Sequence, residues 1–151
     1  MAELNSVAES MPPGAFYSLM SGKLGVAKIR SGEDLASLVE RRLPAAAIQA
    51  LVRGGLSDAE VYQLIVPRRT LAHRIAKHQP LSREESDKAV RVARITAMAE
   101  QVFGERERAW RWLRKPKRNF GGKMPLGMLA TEAGARLVEE MIVQIDSGIF
   151  A

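Results

Sequence analysis

The chain has 151 residues, enough for one compact core or two small helical ones, and 46% of them are apolar, an ordinary share for a globular protein. Cysteine is absent, which excludes disulfides and thiolate metal sites, and no apolar run approaches the roughly 20 residues that a bilayer crossing needs. The net charge of +6 favours polyanionic partners without naming one. Met1-Ala2-Glu3-Leu4-Asn5 lacks the basic-then-apolar form of a secretion signal, so the expected location is the cytoplasm. Ala, Leu, Arg and Glu dominate while aromatics are few, a composition that predicts an all-α fold.

Residues 1–30 show no clear period. Pro12-Pro13-Gly14 breaks the chain and Ser21-Gly22 and Gly25 follow, so this stretch reads as a mobile arm with one short apolar anchor at Phe16, Tyr17, Leu19 and Met20. Ser31, with Asp34 three residues on, caps a helix whose apolar face is Leu35, Leu38, Val39 and Leu43, and Leu43-Pro44 ends it. Pro44 opens a further helix carrying Ile48, Leu51 and Val52, which Gly54-Gly55 stops.

Ser57 and Glu60 have the spacing of a capping box, with Leu56 and Val61 as its apolar staple. The short helix that follows buries Val61, Leu64 and Ile65. Val66-Pro67 makes a tight turn, and a second helix runs from about Arg68 to His78. That pairing is the sequence form of a helix-turn-helix, placed in a domain over 31–80. On a wheel of about 100° per residue, Leu71, Ala72 and Ile75 fall together and are expected to face the core. Thr70, His73, Arg74 and Lys77 share the other face, with Arg69 flanking them and no carboxylate among them. A stripe of this chemistry suits a major groove, where Arg reads guanine and Thr touches a thymine methyl or a phosphate. The predicted DNA contacts are therefore Arg69, Thr70, His73, Arg74 and Lys77; Arg68 lies nearer the core side and is given a phosphate or solvent role.

A second capping box, Ser82 with Glu85, opens a long helix to about Phe103. Its apolar residues cover more than one stripe (Ala89, Val92, Ala93, Thr96, Ala99 and Phe103, broadened by Val90, Ile95, Met98 and Val102), so it needs cover on two sides. The chain itself and a second copy of it are equally able to supply that cover. Gly104 ends the helix, and the next one runs from Glu105 to Arg114 until Lys115-Pro116 stops it. The basic run Arg106, Arg108, Arg111, Arg114, Lys115, Lys117 and Arg118 has three open readings: a second DNA contact, a solvated face, or steering towards an acidic partner.

Asn119-Phe120-Gly121-Gly122 and Pro125-Leu126-Gly127 then form a loop with large apolar side chains among glycines, and Thr131 caps a last helix carrying Leu137, Val138, Met141, Ile142 and Ile145. Gly148 ends that helix and leaves Ile149-Phe150-Ala151 as an apolar tip. Such a tip either folds back on its own core or enters the cleft of another protein.

Several chemistries are excluded. His73 and His78 are the only histidines, and five positions apart on a helix they share no face for a metal. Gly121-Gly122-Lys123 lacks the earlier Gly and following Ser/Thr of a phosphate-binding loop, and no Ser sits in a nucleophile elbow. No catalytic residue, metal, cofactor or small-molecule substrate is expected, so the sequence does not read as an enzyme.

Glu105 to Ala151 resembles the toxin-binding domain of antitoxins of the Xre/MbcA/ParS type. The matching residues are Ala109, Trp112-Leu113, Pro116, Asn119, Gly121-Gly122, Pro125-Leu126, Thr131-Glu132, Gly134, Val138, Ile145, Gly148 and Ala151. Leu81-Ser82, Glu85-Ser86-Asp87, Ala93-Arg94, Ala99 and Val102-Phe103-Gly104 extend the match upstream, to about two thirds of the chain in one colinear order. The resemblance implies a type II antitoxin that neutralises its toxin by contact and represses its own operon. It also implies, as the partner, a RES-domain toxin that depletes NAD, which would be the toxin's substrate and no cofactor of this chain.

On that basis residues 81–151 are the linking helix and toxin-binding domain. Phe120, Gly121, Gly122, Pro125, Leu126, Ile145 and Gly148 are the predicted docking residues, and Ile149, Phe150 and Ala151 are the segment that occludes the toxin's active site. A homodimer on operator DNA is expected, because one short helix-turn-helix seldom provides enough specific affinity alone. Two rival readings are a stand-alone helix-turn-helix transcription regulator and a protein-binding adaptor without a toxin.

Overall fold

A computed structural model describes residues 14–148, and every regular element among them is helical apart from one isolated antiparallel bridge, Lys117 to Lys123. The all-α expectation therefore holds. The described chain divides into two compact units, residues 17–93 and residues 94–148.

The first unit contains α1 (Ala15–Leu24), α2 (Gly32–Arg41), α3 (Ala46–Arg53), α4 (Asp58–Leu64), α5 (Arg68–Ala76) and the beginning of α6 (Arg83–Phe103). Residues 14–30 were expected within an arm, yet Ala15–Leu24 form a helix in which Met20 and Leu24 are wholly buried, and Ile29 beyond its end is nearly so. The helix lacks a clear amphipathic period, which is why the sequence hid it; two large side chains reaching the core suffice to hold it. The part of the expected arm over 1–13 lies outside the described residues.

Local signals placed the starts of α2, α4 and α6 correctly, whereas the helix expected to open at Pro44 begins at Ala46. The Asp34 N–H donates to Ser31 Oγ at 3.1 Å, and the Arg30 N–H donates to Asp34 Oδ2 at 2.8 Å. Ser57 and Glu60 exchange both capping hydrogen bonds, at 3.2 and 2.8 Å, and Ser82 and Glu85 do the same at 3.0 and 2.8 Å. Each satisfies N–H groups that a helix start otherwise leaves without a partner. The exit of α5 is less ordinary. His78 sits at φ 53, and its N–H and that of Gln79 donate back to the carbonyls of Ile75 and Arg74 at 3.2 and 2.9 Å, a glycine-type stop built on histidine.

The stretch between α2 and α3 is fastened from a distance. The Leu43 N–H donates to Ser86 Oγ at 2.9 Å, and the Leu81 N–H donates to the Leu43 carbonyl at 2.9 Å; Leu43, Leu81 and Ser86 are all fully buried.

The second unit takes the rest of α6, then α7 (Arg106–Leu113), a single 3-10 turn at Arg118–Phe120, the one-turn helix α8 (Pro125–Met128) and α9 (Glu132–Asp146). Pro125-Leu126-Gly127, expected to be loop, starts α8, with Pro125 at the position where its missing N–H costs nothing. Val138 and Ile142 on α9 are fully buried, and so are Leu113, Leu126 and Leu129. Gly134 is required by closeness: a Cβ there would overlap the Met128 carbonyl and lie 3.1 Å from Thr131 Oγ1. Along α6, Val92, Ala93, Ile95, Thr96, Ala97, Met98 and Ala99 are each 3% exposed or less within the single chain, so their cover needs no second copy.

Ser86→Ala leaves the Leu43 N–H buried with no acceptor, so it should cost about 1–3 kcal/mol in urea unfolding. Ser86→Cys, which retains a weak acceptor, should cost less than Ser86→Ala; equal losses would show that the hydrogen bond is not what matters there.

Candidate functional sites

The helix-turn-helix formed by α4 and α5 is the first candidate. Arg69 and His73 are exposed on α5, as is Lys77 just past its end, Thr70 is half-buried, and Arg68 is exposed as well. Arg74 is different. Its Nε and Nη2 groups donate to the two oxygens of Glu85 at 3.0 and 3.1 Å, and their side chains are 24% and 13% exposed. A two-pronged contact of this kind uses the same donors that would read a guanine edge. Arg74 is thus held to the first turn of α6 through Nε and Nη2, whereas the other cations of the stripe stand exposed without such a clamp. The absence of a carboxylate from the stripe was true of α5 alone; packing supplies one from α6.

Glu85 is a shared point. Burial pushes its carboxyl up, but the Arg74 hydrogen bond, the Ser82 N–H and the Arg74 charge together draw it below the ordinary 4.5.

The expected core face of α5 also needs correction. Leu71 is buried, whereas Ala72 is exposed and Ile75 is 47% exposed. The space between the far end of α5 and the outer side of α3 is left unfilled, and Ile75 lines surface grooves there with Ala45 and Gln49.

The second candidate lies in the unit of residues 94–148. A groove of about 370 Å³ is lined by Phe103, Trp112, Lys117, Arg118, Asn119, Met141 and Ile145. The Phe103 and Trp112 rings meet at 5.5 Å between centroids, tilted by 42°, and Lys117 Nζ stands 5.1 Å from the Trp112 ring centre. Burial, and then the neighbouring charge of Lys115, lower the Lys117 ammonium from its ordinary 10.5.

The loop that presents Lys117 is a closed circuit. The Lys117 N–H donates to the Lys123 carbonyl at 3.0 Å, while the Lys117 carbonyl accepts from Phe120 and Gly122 at 3.0 and 2.9 Å. That return requires φ of 62° at Gly121 and 84° at Gly122, a region L side chains rarely adopt. On α9, Leu137 is 48% exposed and Met141 and Ile145 are half-buried at successive i, i+4 positions, so an apolar stripe continues beyond the groove.

The predicted docking residues divide accordingly. Ile145 lines the groove; Phe120 is half-buried on the loop; Gly121, Gly122 and Gly148 are exposed. Pro125 and Leu126 are buried and hold the loop against the core. Ile149, Phe150 and Ala151 lie outside the described residues. Phe103, Trp112, Lys117, Arg118, Asn119 and Met141 were not singled out as docking residues from sequence. The surplus of apolar positions on α9 beyond one buried face was the available signal.

Beside the groove's elements, Arg94 Nη1 donates to Glu139 Oε1 at 2.7 Å and Arg94 Nη2 lies 3.7 Å from Glu132. Burial of Glu139, 9% exposed, outweighs the Arg94 charge and raises its carboxyl above 4.5.

A helix-turn-helix module followed by a small helical unit with an apolar, cation-edged groove is the class this geometry defines. The family described as the Antitoxin Xre-like helix-turn-helix domain matches residues 34–94, and the Antitoxin Xre/MbcA/ParS C-terminal toxin-binding domain matches residues 98–148. The chain is 53% identical over 96 residues to the Antitoxin Xre of Pseudomonas putida, covering 64% of this chain and 60% of that protein. It is 32% identical over 91 residues to the Prs ADP-ribosylating antitoxin of Sphingobium sp., covering 54% and 57%. It is 25% identical over 122 residues to the Antitoxin Xre of Photorhabdus laumondii, covering 79% and 82%. The chain spans about three fifths of the length of the first two of these relatives. It belongs to the Xre/MbcA/ParS-type antitoxins.

The two carboxyls set opposite acid responses. Glu85, depressed when folded, contributes stability that is present above pH 4.5 and lost as the pH falls through its folded value; Glu139, raised when folded, contributes stability present below 4.5 and lost as the pH rises through its folded value. In thermal melts between pH 3 and 7 (a range of roughly the carboxylate region), Glu85→Gln should flatten the fall below 4.5 and Glu139→Gln the fall above it. Curves parallel to that of the parent in both variants would contradict these shifts.

Proposed function

We propose that this chain is the antitoxin of a type II toxin–antitoxin system, acting in the cytoplasm as a homodimer and repressing its own operon. Its toxin is a RES-domain, NAD-depleting protein, and neutralisation is by occlusion: the second unit docks on the toxin while the segment after Gly148 blocks the active-site entrance. The supporting observation is the groove of Phe103, Trp112, Met141 and Ile145, an open apolar surface in the unit matched to a toxin-binding domain. A folded domain this small rarely leaves such a surface uncovered without a partner for it. Burying the Ile149 and Phe150 side chains in the toxin would contribute about 1.5–3 kcal/mol each before association costs.

The DNA reading rests on Arg69, Thr70 and His73, exposed or half-exposed on α5 of the helix-turn-helix, and on exposed Lys77 at its end. Arg69 is the base-reading candidate because it is the exposed Arg flanking that stripe.

Removing Gly148–Ala151 should weaken rescue of cells from the co-expressed toxin while leaving operator affinity near that of the full chain. A truncated protein that protects as well as the parent would refute occlusion by the tail. If the neighbouring gene encodes nothing toxic, the antitoxin reading itself fails and a stand-alone regulator is favoured.

Arg69→Ala should cost about 1–3 kcal/mol on operator DNA and relax discrimination against random sequence, whereas Lys77→Ala should lower affinity for both and reduce the salt slope by about 1. Fluorescence anisotropy across a salt series separates the two outcomes.

A further inference from the structure

Of the seven basic residues between Arg106 and Arg118, two, Lys117 and Arg118, form one edge of the groove. We propose that this groove receives an acidic segment of the toxin, in which an aromatic or aliphatic side chain flanked by Asp or Glu enters between Trp112 and Ile145 while its carboxylates meet Lys117 and Arg118. This deepens the antitoxin reading and rests on it.

The groove's lining contains no carboxylate: its polar members are Lys117, Arg118 and Asn119. The chain from Arg114 to Lys123 likewise contains no Asp or Glu, so Lys115, Lys117, Arg118 and Lys123 all stand on one short acid-free stretch. The closed circuit of hydrogen bonds from Lys117 to Lys123 holds that stretch in place, which lowers the ordering cost of binding to it. Lys117 lies against Trp112, half out of water, where a partner carboxylate would act through a lower dielectric than at an open surface. Charge complementarity therefore selects an anion for the edge, and Phe103, Trp112, Met141 and Ile145 select an apolar anchor for the floor.

Nucleic acid fits the same cations less well. A base needs an open aromatic face, and Trp112 already has Phe103 against it and Lys117 over its ring. The floor is aliphatic and aromatic rather than a cationic track.

The test uses the full-length chain and the purified toxin encoded beside it, with Kd measured by calorimetry at several salt concentrations. Lys117→Glu/Arg118→Glu should weaken binding by about 10–100-fold and flatten its salt dependence, and Lys117→Gln/Arg118→Gln by a smaller factor. Met141→Glu, which places a carboxylate in the groove, should weaken binding as well; thermal melts confirm that each variant folds, and the glutamine pair carries the test if the reversal does not. Unchanged Kd and salt slope in a folded Lys117→Gln/Arg118→Gln variant would overturn the proposal. So would loss of operator binding with toxin binding intact, which would give these cations to DNA. A parent chain that binds no toxin at all defeats the antitoxin reading; a parent that binds, with variants equal to it, defeats only this one.

Discussion

The first turn of α6 is the constraint on which the helix-turn-helix unit depends. Within it, Glu85 closes the helix cap with Ser82 and grips the guanidinium of Arg74, while the Ser86 hydroxyl takes the buried N–H of Leu43. A single helix start thereby fixes α5 from one side and the link between α2 and α3 from another. The carboxylate is charged and partly desolvated, so its hydrogen bonds are of the stronger, charge-assisted kind. One consequence reaches the functional surface. Arg74, an Arg that the sequence placed on the cationic face of α5, is tied by that pair to the start of α6.

The second unit makes its surface by a different device. A loop closed on itself through Lys117 and Lys123 and two left-handed glycines set the position of the basic edge, while Gly134 lets the start of α9 approach Met128. The same helix turns Val138 and Ile142 inward and leaves Leu137, Met141 and Ile145 wholly or partly outside. More apolar area is thus carried than one core absorbs. In a small domain, that surplus is affordable only where a partner covers it for much of the time.

The two surfaces answer to different physics. Contacts of α5 with a duplex, as proposed, would be dominated by phosphate charge and weaken steeply with salt. Contacts made by the groove would draw most of their strength from apolar burial, with cations adding rate and selectivity. A net charge of +6 would suit both proposed partners, operator DNA and an acidic toxin segment.

Sequence alone determined the all-α class, the starts of α2, α4, α6 and α9, the stop at Gly104 and the helix-turn-helix pair, because each is decided by residues within a few positions of one another. The matching residues from Leu81 to Ala151 likewise pointed to the family before any coordinate. Tertiary structure alone decided that α1 is a helix anchored by Met20 and Leu24, that Arg74 belongs to Glu85, that Ile75 is exposed, and that Pro125 and Leu126 are core while Phe103 and Trp112 are surface. Outcomes of this kind depend on partners beyond the helix itself, 11 positions along for Arg74 and Glu85, and further for the contacts of Leu43 with Ser86 (43) and Arg94 with Glu139 (45). Periodicity shows that a helix has an apolar or charged face; which neighbour meets that face is set only when the helices pack.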